Sequence, residues 1–230
     1  MLVEFVGLPG AGKTSLITET ETRLRAAGFN ASGLRELSKR GVERLRGDIG
    51  FIRRRNERIS LYGALEYRKT HGEVFDFLCQ AQDRVPELTL WSMELLSQLY
   101  FATDDLAGDH VAFSDEGLVH RGIAAQIGVE DQTGFDAYNA ALPDNFLLVH
   151  LRVPVAIAIE RAKARGKGLP ATRWRKGRDP RDVMAETERL IERACEMRRA
   201  RGCRVVEIDG TQPIEAASGA LQKALTAALA

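Results

Sequence analysis

Residues 7–14 read Gly7-Leu8-Pro9-Gly10-Ala11-Gly12-Lys13-Thr14, the G-x-x-x-x-G-K-[ST] pattern that wraps nucleotide phosphates. The pattern works only between a buried strand and a helix, and both flanks suit it. Leu2 to Val6 is a short apolar run fit for a core strand, and Ser15 to Leu24 is an amphipathic helix ending near Gly28. Glycines at 7, 10 and 12 let the backbone turn its N–H groups inward, forming a concave anion site at the helix N-terminus. Lys13 adds a mobile charge for the β- and γ-phosphates, and the Thr14 hydroxyl suits Mg²⁺. Gly7, Pro9, Gly10, Ala11, Gly12, Lys13, Thr14 and Ser15 are therefore the expected nucleotide cradle. The glycines are spaced G-x-x-G-x-G, which argues against a dinucleotide-binding loop. A glycine-rich turn with a surface lysine is the plain alternative.

Composition narrows the partners. A net charge of +1 gives no general pull toward nucleic acid or membrane, and no apolar stretch has the length of a membrane span. Of the 33 basic residues 26 are arginine, the side chain suited to bidentate phosphate contacts. Cys79, Cys195 and Cys203 are scattered, with no C-x-x-C spacing, so neither a disulfide frame nor a zinc site is expected and a reduced, cytoplasmic protein is. The run at Leu2 leads straight into the phosphate loop and reads as a core strand rather than a leader.

Strands and helices alternate along the chain. Phe29 to Leu37 reads as a weak second strand and 39–106 as mostly helical, with a strong helix over Leu88–Phe101. His110–Asp115 and Asn145–Leu151 read as buried strands, 131–141 as a helix. Helices open at Pro154, Pro180 and Pro213, and Arg204–Ile208 is the last strand. The pattern predicts an α/β fold, a parallel five-stranded sheet with helices on both faces and its ligand site at the carboxyl ends of the strands. One domain, 1–230, is expected: a core of 1–38, 108–165 and 180–230, an acceptor-side helical region at 39–107, and a lid at 166–179.

Two further groups carry chemistry. Asp115, at a strand end, suits the Mg²⁺ shell, or else caps the helix that follows. Glu116 is placed to take the acceptor's proton or hold the acceptor, or else is a first-turn acid. Arg161, Arg165, Arg173, Arg175 and Arg178 cluster with three lysines in a loop between helices. There they can close over a transferring phosphoryl group and expel water, or form a solvated basic loop. Arg53, with Arg54, Arg55 and Arg58, is a candidate for an anionic acceptor or a solvated helix face. His120 and Arg121 lie one helical turn past Asp115 and are candidates to face the acceptor. Tyr62, Tyr67 and Trp91 can stack on a base or pack a core, core packing being the first reading for Trp91, and His71, His110 and His150 read as structural.

At this point the chain resembles the thymidylate kinase branch of the P-loop nucleoside and nucleotide kinases. The likeness rests on the loop Gly7–Thr14, the strand-end acid Asp115, the run Pro143-Asp144 through Val153-Pro154 followed by Ala158-x-x-Arg161-x-x-x-Arg165, and Ile208-Asp209-Gly210-Thr211-Gln212-Pro213-Ile214. The resemblance implies that Arg161 and Arg165 lead into an arginine-bearing lid and that the turn containing Gln212 borders the adenine. The chain departs from the branch where Glu116 replaces the arginine of the family's Asp-Arg pair. Arg35-Glu36-Leu37 only partly echoes its Arg-Glu-Pro, and the aromatic and arginine contacts to thymine have no clear match between 40 and 110. Either Arg121 or a lid arginine takes the missing role, or the acceptor differs.

The expected activity is ATP- and Mg²⁺-dependent transfer of a phosphoryl group to a small-molecule acceptor, a nucleoside or nucleotide first. A sugar or antibiotic acceptor is one alternative and a regulatory ATPase without an acceptor another. Lys13, Asp115, Glu116, Arg161 and Arg165 are the expected catalytic residues, Thr14 and Asp115 the metal ligands. Arg53, Glu116, His120, Arg121, Arg173 and Arg175 are the expected acceptor contacts. A homodimer is one candidate assembly, which the sequence leaves open.

Overall fold

A computed structural model describes residues 1–48, 56–81, 86–107, 109–165 and 177–229, the side chains of 45–48 and 56–58 excepted. Its strands are β1 (Leu2–Val6), β2 (Ala31–Gly33), β3 (Val111–Ser114), β4 (Phe146–Arg152) and β5 (Val205–Asp209). They form a five-stranded sheet in the order β2-β3-β1-β4-β5, and every neighbouring pair is parallel. Among the described residues the helices are α1 (Lys13–Ala26), α2 (Leu34–Asp48), α3 (Asn56–Thr70), α4 (Gly72–Gln80), α5 (Pro86–Leu106), α6 (Leu118–Gln126), α7 (Thr133–Ala141), α8 (Val155–Ala164), α9 (Pro180–Ala200) and α10 (Ile214–Leu229).

Strand order and handedness together place the layers. The step from β1 to β2 runs one way along the sheet; the steps to β3, β4 and β5 run the other. Right-handed crossovers then put α1 on one face, where it packs on α10, and the remaining connections on the opposite face. Strands covered on both sides must be nearly all apolar. Val3, Phe5, Val6, Val111, Ala112, Leu148 and Val149 have no exposed surface. Glu4, in the middle of β1, is equally buried and breaks that rule.

Two expectations are corrected. The second strand stops at Gly33, and Leu34–Leu37 opens α2 instead of extending the strand. Leu34, Leu37, Ser38 and Gly41 are all buried at helical spacing, so the 3.6-residue period decides over the weak strand run. Trp91 is not core: on α5 it is 37 % exposed while Leu88, Leu95, Leu96 and Leu99 take the buried stripe. Pro180 does open its helix, with the Asp179 carboxylate accepting from the Arg181 amide at 2.7 Å.

The helical region 39–107 is seated through α2 on α5 and α3 on α5. Gly41 marks the closest approach, since a Cβ there would lie 1.9 Å from the Phe101 carbonyl oxygen, a backbone atom that cannot step aside. Alanine gains about 1 kcal/mol of helix propensity over glycine, but overpacking costs about 1–3 kcal/mol. Gly41→Ala is therefore expected to lower stability by up to about 2 kcal/mol in urea denaturation. An increase would show that the two helices do not meet there.

Candidate active site

The site lies at the carboxyl ends of β1 and β3, adjacent strands held in register Leu2 to Ala112 through Glu4 to Ser114. After β1 the chain enters the glycine loop. Gly10 and Gly12 take φ of 89° and 100°, left-handed values that a side chain would strain. A Cβ on Gly10 would also meet the Ala158 carbonyl oxygen at 2.3 Å, so the loop rests directly on α8. Gly12 caps α1, whose first turn holds no acid to compete for an anion at its positive end. The Lys13 ammonium folds back along the loop and donates to the Gly7 carbonyl at 2.7 Å and the Leu8 carbonyl at 3.3 Å.

After β3 the chain turns through Asp115-Glu116-Gly117 into α6. The Thr14 hydroxyl donates to the Asp115 carboxylate at 3.5 Å. Two hard oxygen donors thus converge beside the loop amides, the donor set that a divalent cation on a phosphate tail takes. The residues present therefore fit Mg²⁺. Asp115 is exposed and Gly117, not Asp115, stands at the N-cap of α6, so the capping alternative for Asp115 is not what the structure shows.

A cavity of about 300 Å³ opens beside this point, lined among others by Thr14, Arg35, Trp91, Gln98, Glu116 and Arg121. Arg121 is nearly buried and reaches back one helical turn to Glu116 at 2.9 Å, with its guanidinium 5.7 Å from the centre of the Trp91 ring. Glu116 is half exposed and presents its carboxylate to the cavity. Arg35 faces Glu94 at 3.9 Å on the same wall. His120 is not among the described residues lining the cavity. Burial, then the charges of Lys13 and Arg121, push its pKa well below the usual imidazole value, so it stays neutral.

The remaining candidates divide. Arg161 donates to the Gly210 carbonyl at 2.9 Å, tying α8 to the Asp209–Gln212 turn. That turn is held by Asp209, which accepts from the Thr211 amide and hydroxyl at 2.8 and 2.6 Å. Arg165, at the end of α8, is close enough to Lys13 to depress its pKa. Arg178 pairs with Glu186 of α9 at 2.8 Å. Arg53, Arg173 and Arg175, with most of the 166–179 lid, lie outside the described residues. Sequence reading missed Gln98 and Arg35 as cavity walls, and for Trp91 it put core packing ahead of the stacking role. It also missed Glu4, whose carboxylate accepts from the His120 amide at 3.1 Å. A lone acid in an apolar strand was the available signal.

No protein-family model matches the chain, and no curated protein matches it. Solved structures do. Deoxyadenosine kinase from M. mycoides with bound dATP superposes with a TM-score of 0.53 at 16 % identity, covering 98 % of this chain and 99 % of that one. The same kinase with products dCMP and a flexible dCDP bound gives 0.52 at 16 %, covering 99 % and 100 %. With dCTP bound it gives 0.52 at 15 %. The chain thus has the P-loop kinase fold.

Lys13 supplies a check on the cradle. Burial lowers its pKa from 10.5 to about 8, against the pull of Glu116 and Asp115 and with a push from Arg165. A bound triphosphate favours the charged ammonium and raises that pKa, so above pH 8 binding must take up a proton. ATP affinity, read by titration calorimetry, is expected to be flat in this respect below pH 7.5. It should fall by up to tenfold per unit above pH 8, and Lys13→Met should flatten that fall.

Proposed function

We propose that this chain is a Mg·ATP-dependent small-molecule kinase whose acceptor is a nucleoside or nucleotide. The observation that carries the reading is the meeting of three parts at adjacent strand ends: the Lys13 cradle, the Thr14–Asp115 pair at 3.5 Å, and the cavity into which Glu116 projects. The fold neighbours support it, being a deoxyadenosine kinase with dATP, dCTP or dCMP bound. Thr14 and Asp115 would hold Mg²⁺, which when bound draws charge from the phosphate oxygens. Lys13 and the loop amides hold the phosphate tail. Glu116, fixed by Arg121, accepts the proton of the acceptor hydroxyl as its oxygen bonds to the γ-phosphorus. The bridging bond breaks and ADP leaves with its electron pair. Arg165 and the lid arginines Arg173 and Arg175 balance the charge of the moving group, and Arg161 holds the turn of Gln212 against which the adenine packs. Residues 39–107 form the acceptor side, within one domain that includes the lid at 166–179. Three free cysteines suit a reducing cytoplasm.

Within the described wall both cations are matched, Arg121 by Glu116 at 2.9 Å and Arg35 by Glu94 at 3.9 Å. That pairing favours an acceptor offering a hydroxyl over one offering a phosphate. It also keeps a second reading in play, a sugar or aminoglycoside acceptor, which is rich in the donors that Glu116 and Glu94 accept.

The test is product analysis with labelled ATP against nucleosides, nucleotides, sugars and aminoglycosides. A phosphorylated nucleoside or nucleotide is expected, with Lys13→Ala lowering turnover by about a hundredfold or more in a folded protein. Release of free phosphate alone, whatever the acceptor, would replace the kinase with a nucleotide-driven switch.

A further inference from the structure

We propose that Glu4 is a positioning residue for the metal–nucleotide site: from the centre of the sheet it clamps the Asp115–Gly117 turn and the first turn of α6 onto the strand that carries the phosphate loop. The proposal rests on the kinase reading above. Glu4 has no exposed surface, and its Oε1 accepts from the His120 amide at 3.1 Å. The amides of Val119 and Leu118 also point toward it. Helix α6 has no side-chain cap at Gly117 and no acid in its first turn, so the charge that its N-terminus calls for comes from β1. The fit is close. A Cβ on Gly117 would lie 2.3 Å from Glu4 Cδ and 2.5 Å from Oε2, so the turn lies directly over the carboxylate.

Glu4 is thus shared between the two pieces of the site. Two residues beyond it the chain leaves β1 for the loop that ends in Lys13 and Thr14. One residue before the glycine that covers it stands Glu116, and before that Asp115. The 3.5 Å between Thr14 and Asp115 is set by how these two turns seat on each other. No neighbour relieves the cost of burying this acid in full: Oε2 has no hydrogen-bond partner among the described residues. The groups facing it are His120 on α6, Tyr67 on α3, Tyr138 on α7 and Arg198 on α9. The Tyr138 hydroxyl is already given to the Leu118 carbonyl at 2.7 Å, and Arg198 donates to the Pro143 carbonyl at 3.2 Å. Burial pushes the Glu4 carboxyl up from 4.5 to about 7, against the His120 amide and Arg198. The folded protein therefore holds this proton more tightly than the unfolded chain, and ionising Glu4 lowers stability as pH rises from about 4.5 to 7. A residue kept only for stability would not be a carboxylate here.

The two roles give opposite readouts in Glu4→Gln, which keeps size and one acceptor but loses the charge. At pH 8 the variant is expected to resist urea at least as well as wild type. Its ATP affinity with EDTA should stay within twofold, and the added affinity that Mg²⁺ gives should fall tenfold or more. Gly117→Ala keeps Glu4 but forces the turn off it, and should lose the same metal-dependent gain. The double variant should lose no more than either single one. An unchanged metal-dependent gain in both variants overturns the proposal, as does a loss of stability and metal-free affinity together. Wild type without any Mg·ATP affinity would overturn the kinase reading itself, and this proposal with it.

Discussion

Everything in this site depends on β3 lying beside β1. The two strands pair from Leu2 with Ala112 to Glu4 with Ser114, and each ends within a few residues of the groups that matter. Parallel pairing is what puts both carboxyl ends on the same edge of the sheet. One end opens into a glycine loop at the N-terminus of α1, the other into a turn that starts with two acids. Neither turn is a site alone: a cradle without a carboxylate binds phosphate but does not organise a cation, and Asp115 without the cradle is an exposed surface acid. Side by side they leave a hydroxyl and a carboxylate 3.5 Å apart.

This geometry is held at some expense to stability. Lys13 and Glu4 are both placed where burial disfavours their charged forms, with pKa values moved to about 8 and about 7. For Glu4, which is fully buried, the shift is what remains after the pull of the His120, Val119 and Leu118 amides and of Arg198, and it corresponds to on the order of 3 kcal/mol. The clamp is thus a net cost to folding, and it persists where preorganisation of the site gives a reason for it. The two helix N-termini differ: the first turn of α1 is free of acids, while α6 receives its acid from another strand.

How much of this was legible in the sequence follows from the range of each interaction. The cradle, the strand before it and the helix behind it are set within a dozen residues, so pattern alone finds them. Pro180 after Asp179 is equally local. Asp115 is legible because a strand ending in an acid is itself a signal. What escaped were relations across the chain. Trp91 sits on a helix whose apolar residues are numerous enough to look like one stripe; only the placement of α5 against α6 shows that the stripe excludes it. Leu34–Leu37 satisfied both a strand and a helix period until burial decided. Glu4 is a single unfavourable letter in an apolar strand, and its partner amides are more than a hundred residues away.

The cavity wall turns on one exchange of order. A strand-end arginine would bring a guanidinium to the cavity and a preference for anions. Here the strand end brings Glu116, and the guanidinium arrives from Arg121, one turn later and nearly buried, its Nε without a hydrogen-bond partner among the described residues. Geometry gives the two members different tasks. The carboxylate stands at the front, half exposed to the cavity; the guanidinium stands behind it and against the Trp91 ring. A phosphate beside Glu116 would confront a like charge while Arg121 is already engaged. A hydroxyl there would meet an acceptor oxygen whose carboxylate is held by Arg121. Restoring an anion-binding wall would require separating Arg121 from Glu116, which leaves a nearly buried guanidinium without its carboxylate.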